Sequence, residues 1–163
     1  MTGAASARTG FRARHWVVLA IAWFATMGWR PLLDPDEGRY AEIPREMVAS
    51  GDWVTPRLDG LKYFEKPPLV YWATAMLYSV FGVTEWTARF WPCAFAFLCL
   101  PLVYVFARHV YGTPRAGPAA VAALALNPYF ILVGQLNLLD SGLTLFMTGA
   151  VFAFLRARDA EVG

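Results

Sequence analysis

Four long apolar runs limit what this chain can fold into more than any other feature of the sequence. Each is about 18 residues long and holds at most one charged residue. The runs are 16–33, 90–107, 116–133 and 138–155. A helix needs roughly 17–25 such residues to cross a hydrocarbon core about 30 Å thick. The sequence therefore predicts an all-α membrane protein with about four transmembrane helices, the first of them an uncleaved helix near the N-terminus.

The composition supports a membrane protein and excludes several other classes. The chain of 163 residues is 58% apolar and 16% charged, whereas a soluble domain is about 45–50% apolar and about 25% charged. The net charge is +2 and there is no basic stripe interleaved with aromatic residues, so we expect no nucleic-acid partner. Cys93 and Cys99 lie in one apolar run and are predicted to be small buried side chains rather than disulfide or metal partners. We predict no metal site and no cofactor, and the residues leave a divalent-metal requirement open.

A fifth apolar stretch, Leu69–Phe81, is too short to cross the membrane. Its 13 residues would extend only about 20 Å as a helix. If this stretch lies on the membrane surface, all the arginine-rich segments fall on the cytoplasmic side, as the positive-inside rule requires. These segments are 8–14, 108–115 and 156–158. The N-terminus is then cytoplasmic, and the acidic loop 34–89 lies on the outer side of a multi-pass protein.

The outer loop is predicted to form two amphipathic helices that lie in the membrane interface. The first, Glu37–Ser50, places apolar residues on one face and charged residues on the other. Pro44 either kinks this helix or moves its start to near Ile43. The second helix, Leu69–Phe81, follows the Pro67-Pro68 pair, which suits the first turn of a helix.

Two pairs of charged residues in this loop are candidates for chemistry. Asp36 and Glu37 can serve as a general base or a pair of metal ligands, or they can simply favour the start of a helix. Lys66 can bind a phosphate as a point charge, with the start of the next helix close by. Alternatively, Glu65 and Lys66 form an ion pair that anchors the chain at the interface. The residue types by themselves leave these alternatives open.

Three further charged residues lie near the outer ends of the predicted spans. Asp140 stands at or just inside the start of the fourth span, where an ionisable group is a functional candidate by default. Its alternative role is that of an N-cap at the start of the helix. Arg30 and Arg89 are expected to bind lipid phosphates more readily than substrate.

The loop sequence resembles that of a known family. The residues that carry the resemblance are 34–47, 50–53, 60–68, 71–72, 81–83 and 138–140. They are similar to the first outer loop of the aminoarabinose transferases, which belong to the wider protein-mannosyltransferase-like group of GT-C membrane glycosyltransferases. The resemblance covers about residues 15–155. It implies the N-terminal part of a GT-C fold, with two interfacial helices in the first outer loop.

The resemblance also implies roles for individual residues. Asp36 matches the family's catalytic acidic residue, and Asp140 matches a second functionally important aspartate. The pair before the two prolines matches the pair near the donor phosphate. The predicted catalytic residues are Asp36, Glu37 and Asp140, and the predicted substrate-binding residues are Arg39, Tyr40, Glu65 and Lys66.

The implied reaction is the transfer of a sugar from a polyprenyl-phosphate donor at the outer face of a bacterial-type inner membrane. The resemblance favours 4-amino-4-deoxy-L-arabinose as the sugar and lipid A as the acceptor, although related transferases use other sugars and protein acceptors. Family members are several times longer, so the chain is predicted to be an N-terminal module, with membrane lipids and a second chain that supplies the missing spans as further partners. The competing functions are a non-catalytic binding or regulatory subunit and a small four-helix transporter or scaffold.

Overall fold

The structure is a computed structural model that describes residues 11–162, and in this part of the chain it has seven helices and one short hairpin. The helices are α1 (Ala13–Phe24), α2 (Asp36–Ser50), α3 (Leu69–Phe81), α4 (Glu85–Tyr111), α5 (Ala116–Ala125), α6 (Pro128–Gly134) and α7 (Asp140–Val162). Between α2 and α3, strand β1 (Arg57–Leu58) pairs antiparallel with strand β2 (Leu61–Lys62). The chain is therefore mainly helical, as predicted.

Helix α4 is the central helix of the fold. It has 27 residues, and among the described residues it is the one unbroken helix that is both long and apolar enough to cross a membrane. The side chains of Thr84 and Thr87 cap its N-terminus by bonding each other's backbone N–H groups. Gly112 ends it in the left-handed conformation, with φ of 63° and no Cβ to clash. Cys93 and Cys99 lie buried within α4 as unpaired thiols, as predicted.

The predicted span over 116–133 is not one straight helix but two helices, α5 and α6, which meet at a bend of 68°. The bend lies at Asn127-Pro128, because a proline lacks an N–H and disfavours the helical conformation of the residue before it. Asn127 is extended, with φ −73° and ψ 117°, and its side-chain oxygen accepts hydrogen bonds from the N–H groups of Tyr129 and Phe130. This asparagine therefore starts α6.

The count of four transmembrane helices is not confirmed. The bent pair α5–α6 is long enough only if its two helices together form one span. Helix α1 has 12 residues, and tighter turns follow it before Arg30. Helix α7 has 23 residues, but acidic or basic side chains occupy both of its ends.

The two helices predicted for the outer loop are present. Helix α3 has the predicted bounds, Leu69–Phe81. Helix α2 begins at Asp36 and continues through Pro44 to Ser50, so the alternative start near Ile43 is wrong. Gly51 ends α2 in the left-handed conformation, and its N–H bonds the carbonyl of Met47 at 3.0 Å.

Helices α2 and α3 pack face to face and share a hydrophobic core. Ile43 and Met47 of α2 are buried against Tyr71 and Ala75 of α3, and the rings of Tyr40 and Tyr71 stack with centroids 6.4 Å apart. The opposite face of α3 carries an apolar stripe that is exposed, formed by Leu69, Trp72, Met76 and Val80. Their helical spacing is what a helix lying against lipid needs.

Glycines bring helices close together at two contacts. A Cβ on Gly117 of α5 would lie 2.7 Å from the ring of Tyr104 in α4. A Cβ on Gly134 of α6 would lie 2.8 Å from the ring of Trp23 in α1. The Trp23 indole N–H in turn donates to the carbonyl of Cys93 in α4 at 3.0 Å. Small residues at helix contacts are typical of packing within a membrane.

Candidate active site

The carboxylate of Glu37, in the first turn of α2, is buried and surrounded by donors. Its side chain is 2% exposed. Oε2 accepts hydrogen bonds from Arg30 Nη1 at 2.6 Å, Leu33 N at 3.0 Å and Arg89 Nη2 at 3.1 Å. Oε1 accepts from Arg89 Nε at 2.8 Å and from Asn137 N at 2.8 Å. We call Glu37, Arg30, Arg89 and Asn137 the Glu37 cluster.

Arg89 joins α4 to the segment that follows α1. It is fully buried and donates to the backbone carbonyls of Met27 at 2.8 Å, Arg30 at 2.9 Å and Pro31 at 2.8 Å, in addition to Glu37. The expectation that Arg89 binds lipid phosphate is wrong, because its side chain is fully buried and its five hydrogen bonds all go to acceptors of the protein. Five donors in a fixed planar fork suit arginine to such a position.

The surroundings of Glu37 keep it ionised. Burial alone would raise the pKa of this carboxyl, since it disfavours the charged form. Hydrogen bonds from Arg89 and Arg30, and from the backbone N–H groups of Asn137 and Leu33, outweigh burial and lower the pKa from 4.5 to about 2. Glu37 is therefore an anion at any pH near neutrality.

Asp36 has the opposite environment, although it is the preceding residue. Its side chain is 54% exposed, and its one ion pair among the described residues is with Arg39, at 3.7 Å between Oδ1 and Nη1. An ion pair of that length on an exposed surface binds weakly. The carboxylate of Asp36 is thus accessible to a ligand, whereas that of Glu37 is not.

A row of polar groups leads from Asp36 along the loop. The guanidinium of Arg39 lies beside the hydroxyl of Tyr63, which raises the pKa of Arg39. The Tyr63 hydroxyl donates to the carboxylate of Glu65, and burial together with this carboxylate raises the pKa of Tyr63. Sequence reasoning missed Tyr63, because a tyrosine in a loop carries no signal of its own. Tyr40, predicted to bind substrate, is instead 9% exposed and packed in the core of the loop.

Lys66 and Asp140 line a second feature, a cavity of about 340 Å³ that we call the Lys66 cavity. Its walls are otherwise apolar or small: Pro67, Leu69, Val70, Leu139, Gly142, Leu143 and Phe146. In the part of the chain that the structure describes, no carboxylate lies within 4.0 Å of Lys66 Nζ, so the alternative of an anchoring pair with Glu65 is wrong. A half-buried ammonium beside an apolar groove can bind a phosphate that carries a hydrocarbon chain.

Asp140 is the first residue of α7 and is exposed. Within residues 11–162 its carboxylate forms no hydrogen bond with the chain, so the alternative role as a helix N-cap has no support in the structure. It borders a further cavity of about 280 Å³, shared with Asn127, Ser141 and Thr144. Asp140 therefore lies where two cavities meet.

The structure brings the predicted residues together in two groups. Asp36, Arg39 and Glu65 belong to the polar row, and Lys66 and Asp140 belong to the cavity. A separate group of carboxylates, Glu42, Glu46 and Asp59, has oxygens within 4.8 Å of one another. Glu42 is paired with Arg45 and Glu46 accepts from the N–H of Gly60, so we assign no metal to this group.

A comparison with models of known protein families identifies the family of this chain. Residues 14–162 match the model of the dolichyl-phosphate-mannose-protein mannosyltransferase family. The chain belongs to this family. The predicted resemblance is therefore confirmed over nearly the whole chain.

Curated relatives that match the chain belong to one group of enzymes, the aminoarabinose transferases. The undecaprenyl phosphate-α-4-amino-4-deoxy-L-arabinose arabinosyl transferase of Edwardsiella ictaluri is 40% identical over 147 residues, which are 89% of this chain and 26% of the relative. The enzyme of the same name from Aeromonas hydrophila is 40% identical over 127 residues, 77% of this chain and 23% of the relative. The chain thus spans about a quarter of the length of these relatives.

Two solved structures that match the chain agree with this similarity. The crystal structure of ArnT from Cupriavidus metallidurans bound to undecaprenyl phosphate matches with a TM-score of 0.76 and 42% identity, over 84% of this chain and 26% of that one. The apo structure of the same protein matches with a TM-score of 0.74 and 43% identity, over 83% of this chain and 26% of that one. The helical fold of this family member is therefore that of the matching part of ArnT.

Proposed function

We propose that this chain is the donor-side module of a membrane glycosyltransferase that takes its sugar from a polyprenyl phosphate. The observation that carries the proposal is the Lys66 cavity, which combines an unpaired, half-buried ammonium with apolar walls. A polyprenyl phosphate has the matching chemistry, an anionic head on a hydrocarbon chain. The similarity to a protein crystallised with undecaprenyl phosphate supports the same ligand class.

The proposed reaction inverts the configuration of the sugar. An oxygen of the acceptor forms a bond to the anomeric carbon while the bond from that carbon to the phosphate oxygen breaks. Lys66 stabilises the negative charge that grows on the leaving phosphate. Asp36 accepts the proton of a hydroxyl acceptor. If the acceptor is itself an ionised phosphate, no proton needs to move, and Asp36 instead orients the sugar.

The names of the relatives support a particular sugar. We propose 4-amino-4-deoxy-L-arabinose as the transferred sugar. The proposed acceptor is lipid A or a related lipid at the outer face of the inner membrane, as the resemblance of the loop sequence implies. An amine on the sugar is a natural partner for the exposed carboxylate of Asp36 or Asp140, since a carboxylate accepts hydrogen bonds from an ammonium.

Donor binding can be tested on the full chain in lipid nanodiscs. Native mass spectrometry would compare the affinity for undecaprenyl phosphate of the unsubstituted chain, Lys66→Gln and the control Lys62→Gln. We expect Lys66→Gln to weaken binding by about 10- to 100-fold, because hydrogen bonds to charged groups contribute about 1.5–3 kcal/mol. Lys62 is exposed on β2 and its substitution should change little. Equal affinities for all three proteins would contradict the proposal.

Transfer can be tested in a chimera in which residues 14–162 replace the matching segment of the Cupriavidus metallidurans protein. Asp36→Asn should abolish transfer from an undecaprenyl-phosphate sugar while the amount of protein in the membrane stays the same, and Glu42→Gln should transfer normally. Retained transfer by Asp36→Asn would remove Asp36 from the site. A chimera that binds the donor but never transfers would favour the non-catalytic binding subunit.

A further inference from the structure

Glu37 connects the chain segments that carry Asp36 and Asp140. We infer that Glu37 is a positioning residue, whose buried carboxylate sets where Asp36 lies relative to Asp140. This inference rests on the proposed function for its catalytic consequence, but its structural part can be tested without any activity. It replaces the catalytic role expected for Glu37 from the sequence.

The carboxylate of Glu37 has no hydrogen-bonding capacity left for a substrate. A carboxylate offers about four lone-pair positions for hydrogen bonds. Glu37 already accepts from Arg30, Leu33, Asn137 and two nitrogens of Arg89, all at 3.1 Å or less. A group in this state neither takes a proton from a hydroxyl nor contacts a sugar. What it can do is hold the segments that supply those donors.

One of the segments that donate to Glu37 leads directly to Asp140. The N–H of Asn137 donates to Glu37 Oε1 at 2.8 Å, and the Asn137 side-chain amide also donates to the backbone carbonyl of Glu37, at 3.2 Å. Arg30 adds a third bond to the same segment, from Nη2 to the carbonyl of Gln135 at 3.1 Å. Asn137 is 1% exposed and lies three residues before Asp140. The start of α7 is thus tied to the first turn of α2.

The link between α2 and the start of α7 depends on the length and charge of the Glu37 side chain. Glu37 follows Asp36 in the same helical turn, so any shift of Glu37 moves Asp36 with it. An aspartate at position 37 keeps the charge but is shorter by one bond of about 1.5 Å, so it cannot reach Arg89 and Asn137 together. A glutamine keeps the length but presents an NH₂ group to donors, which can only repel it.

The structural test uses the full 163-residue chain in nanodiscs, with spin labels on Asp36→Cys and Asp140→Cys and with both native cysteines replaced by alanine. Electron paramagnetic resonance gives the distribution of distances between the labels. We expect Glu37→Asp to broaden and shift this distribution while the helix content measured by circular dichroism is unchanged. Glu42→Gln, a substitution on the same helix outside the Glu37 cluster, should leave it unchanged. An unaltered distribution in a folded Glu37→Asp chain would overturn the inference.

The catalytic test uses the chimera with Asp36 and Asp140 intact. We expect Glu37→Asp to lower kcat by up to about 100-fold, the loss that a misplacement of about 1 Å can cause. The KM for the donor should stay within about two-fold, because Lys66 is untouched. The pH dependence of kcat should keep its shape, since Glu37 is not the proton acceptor. A shifted acidic limb, or an unchanged kcat, would overturn the inference.

The structural test and the catalytic test together distinguish a failure of this inference from a failure of the proposed function. If Asp36→Asn transfers sugar normally, the proposed role of Asp36 fails, and the label distances still decide whether Glu37 sets the geometry. If the distances respond to Glu37→Asp but kcat does not, the link is structural only and Glu37 is not a positioning residue for the reaction.

Discussion

The Glu37 cluster and the Lys66 cavity hold charged groups in opposite ways. In the cluster, one buried carboxylate is bonded by two arginines and two backbone N–H groups, so that every strong charge has a protein partner. In the cavity, Lys66 and Asp140 face a groove without such partners among the described residues. Charges that are fully hydrogen-bonded by protein groups hold the loop together, whereas charges without such partners remain available to a ligand.

The largest expected effect comes from breaking the cluster. Arg89→Met should lower the free energy of unfolding by about 3–5 kcal/mol, because it leaves the carboxylate of Glu37 buried without its main partner. Denaturant unfolding in mixed micelles measures this. The control is Arg45→Met, which breaks an exposed pair within α2 and should change stability by no more than about 1 kcal/mol. Equal losses in the two variants would mean that burial of the cluster adds nothing.

Acid should weaken the same cluster by a comparable amount. The pKa of Glu37 in the folded chain, about 2, lies below the ordinary value of 4.5. The folded state therefore binds fewer protons than the unfolded state between these values. The stabilising contribution is complete above about pH 4.5, and it is lost as the pH falls towards 2. It amounts to about 3 kcal/mol.

This pH dependence can be measured as a difference between two proteins. Unfolding of the unsubstituted chain and of Glu37→Gln would be followed from pH 6 down to pH 3. We expect the stability difference between them to shrink as the pH falls, because the glutamine has no proton to gain. A difference that stays constant over this range would show that the carboxyl titrates alike in both states.

The smallest expected effect on stability comes from removing the charged groups of the Lys66 cavity. Lys66→Gln and Asp140→Asn should each change the free energy of unfolding by no more than about 0.5 kcal/mol, as for surface substitutions that remove no partner. Thermal unfolding in nanodiscs measures both. A loss well above this value in either variant would mean that the cavity is held together by these charges, and the contrast with the Glu37 cluster would disappear.

Local signals in the sequence were enough to locate the two helices of the outer loop. The Pro67-Pro68 pair and Gly82 mark the ends of α3, and Gly51 marks the end of α2. Proline and glycine act on the backbone of their own residue and its neighbours, so their effect can be predicted without knowledge of the fold. The bend at Asn127 had a local signal too, in the proline that follows. The hydropathy pattern did not reveal this bend, because a run of apolar residues has the same hydropathy whether the helix is straight or bent.

The roles of Asp36 and Glu37 show what the sequence determined and what it did not. By itself the sequence determined a helical membrane protein, the family, and the presence of two carboxylates at the start of a helix. Only the tertiary structure decided which carboxylate is buried, because the partners of Glu37 come from positions 30, 89 and 137. Neighbouring residues of a helix point in different directions, and what each one meets depends on segments that lie far apart in the chain. Periodicity and local propensity carry no information about those segments.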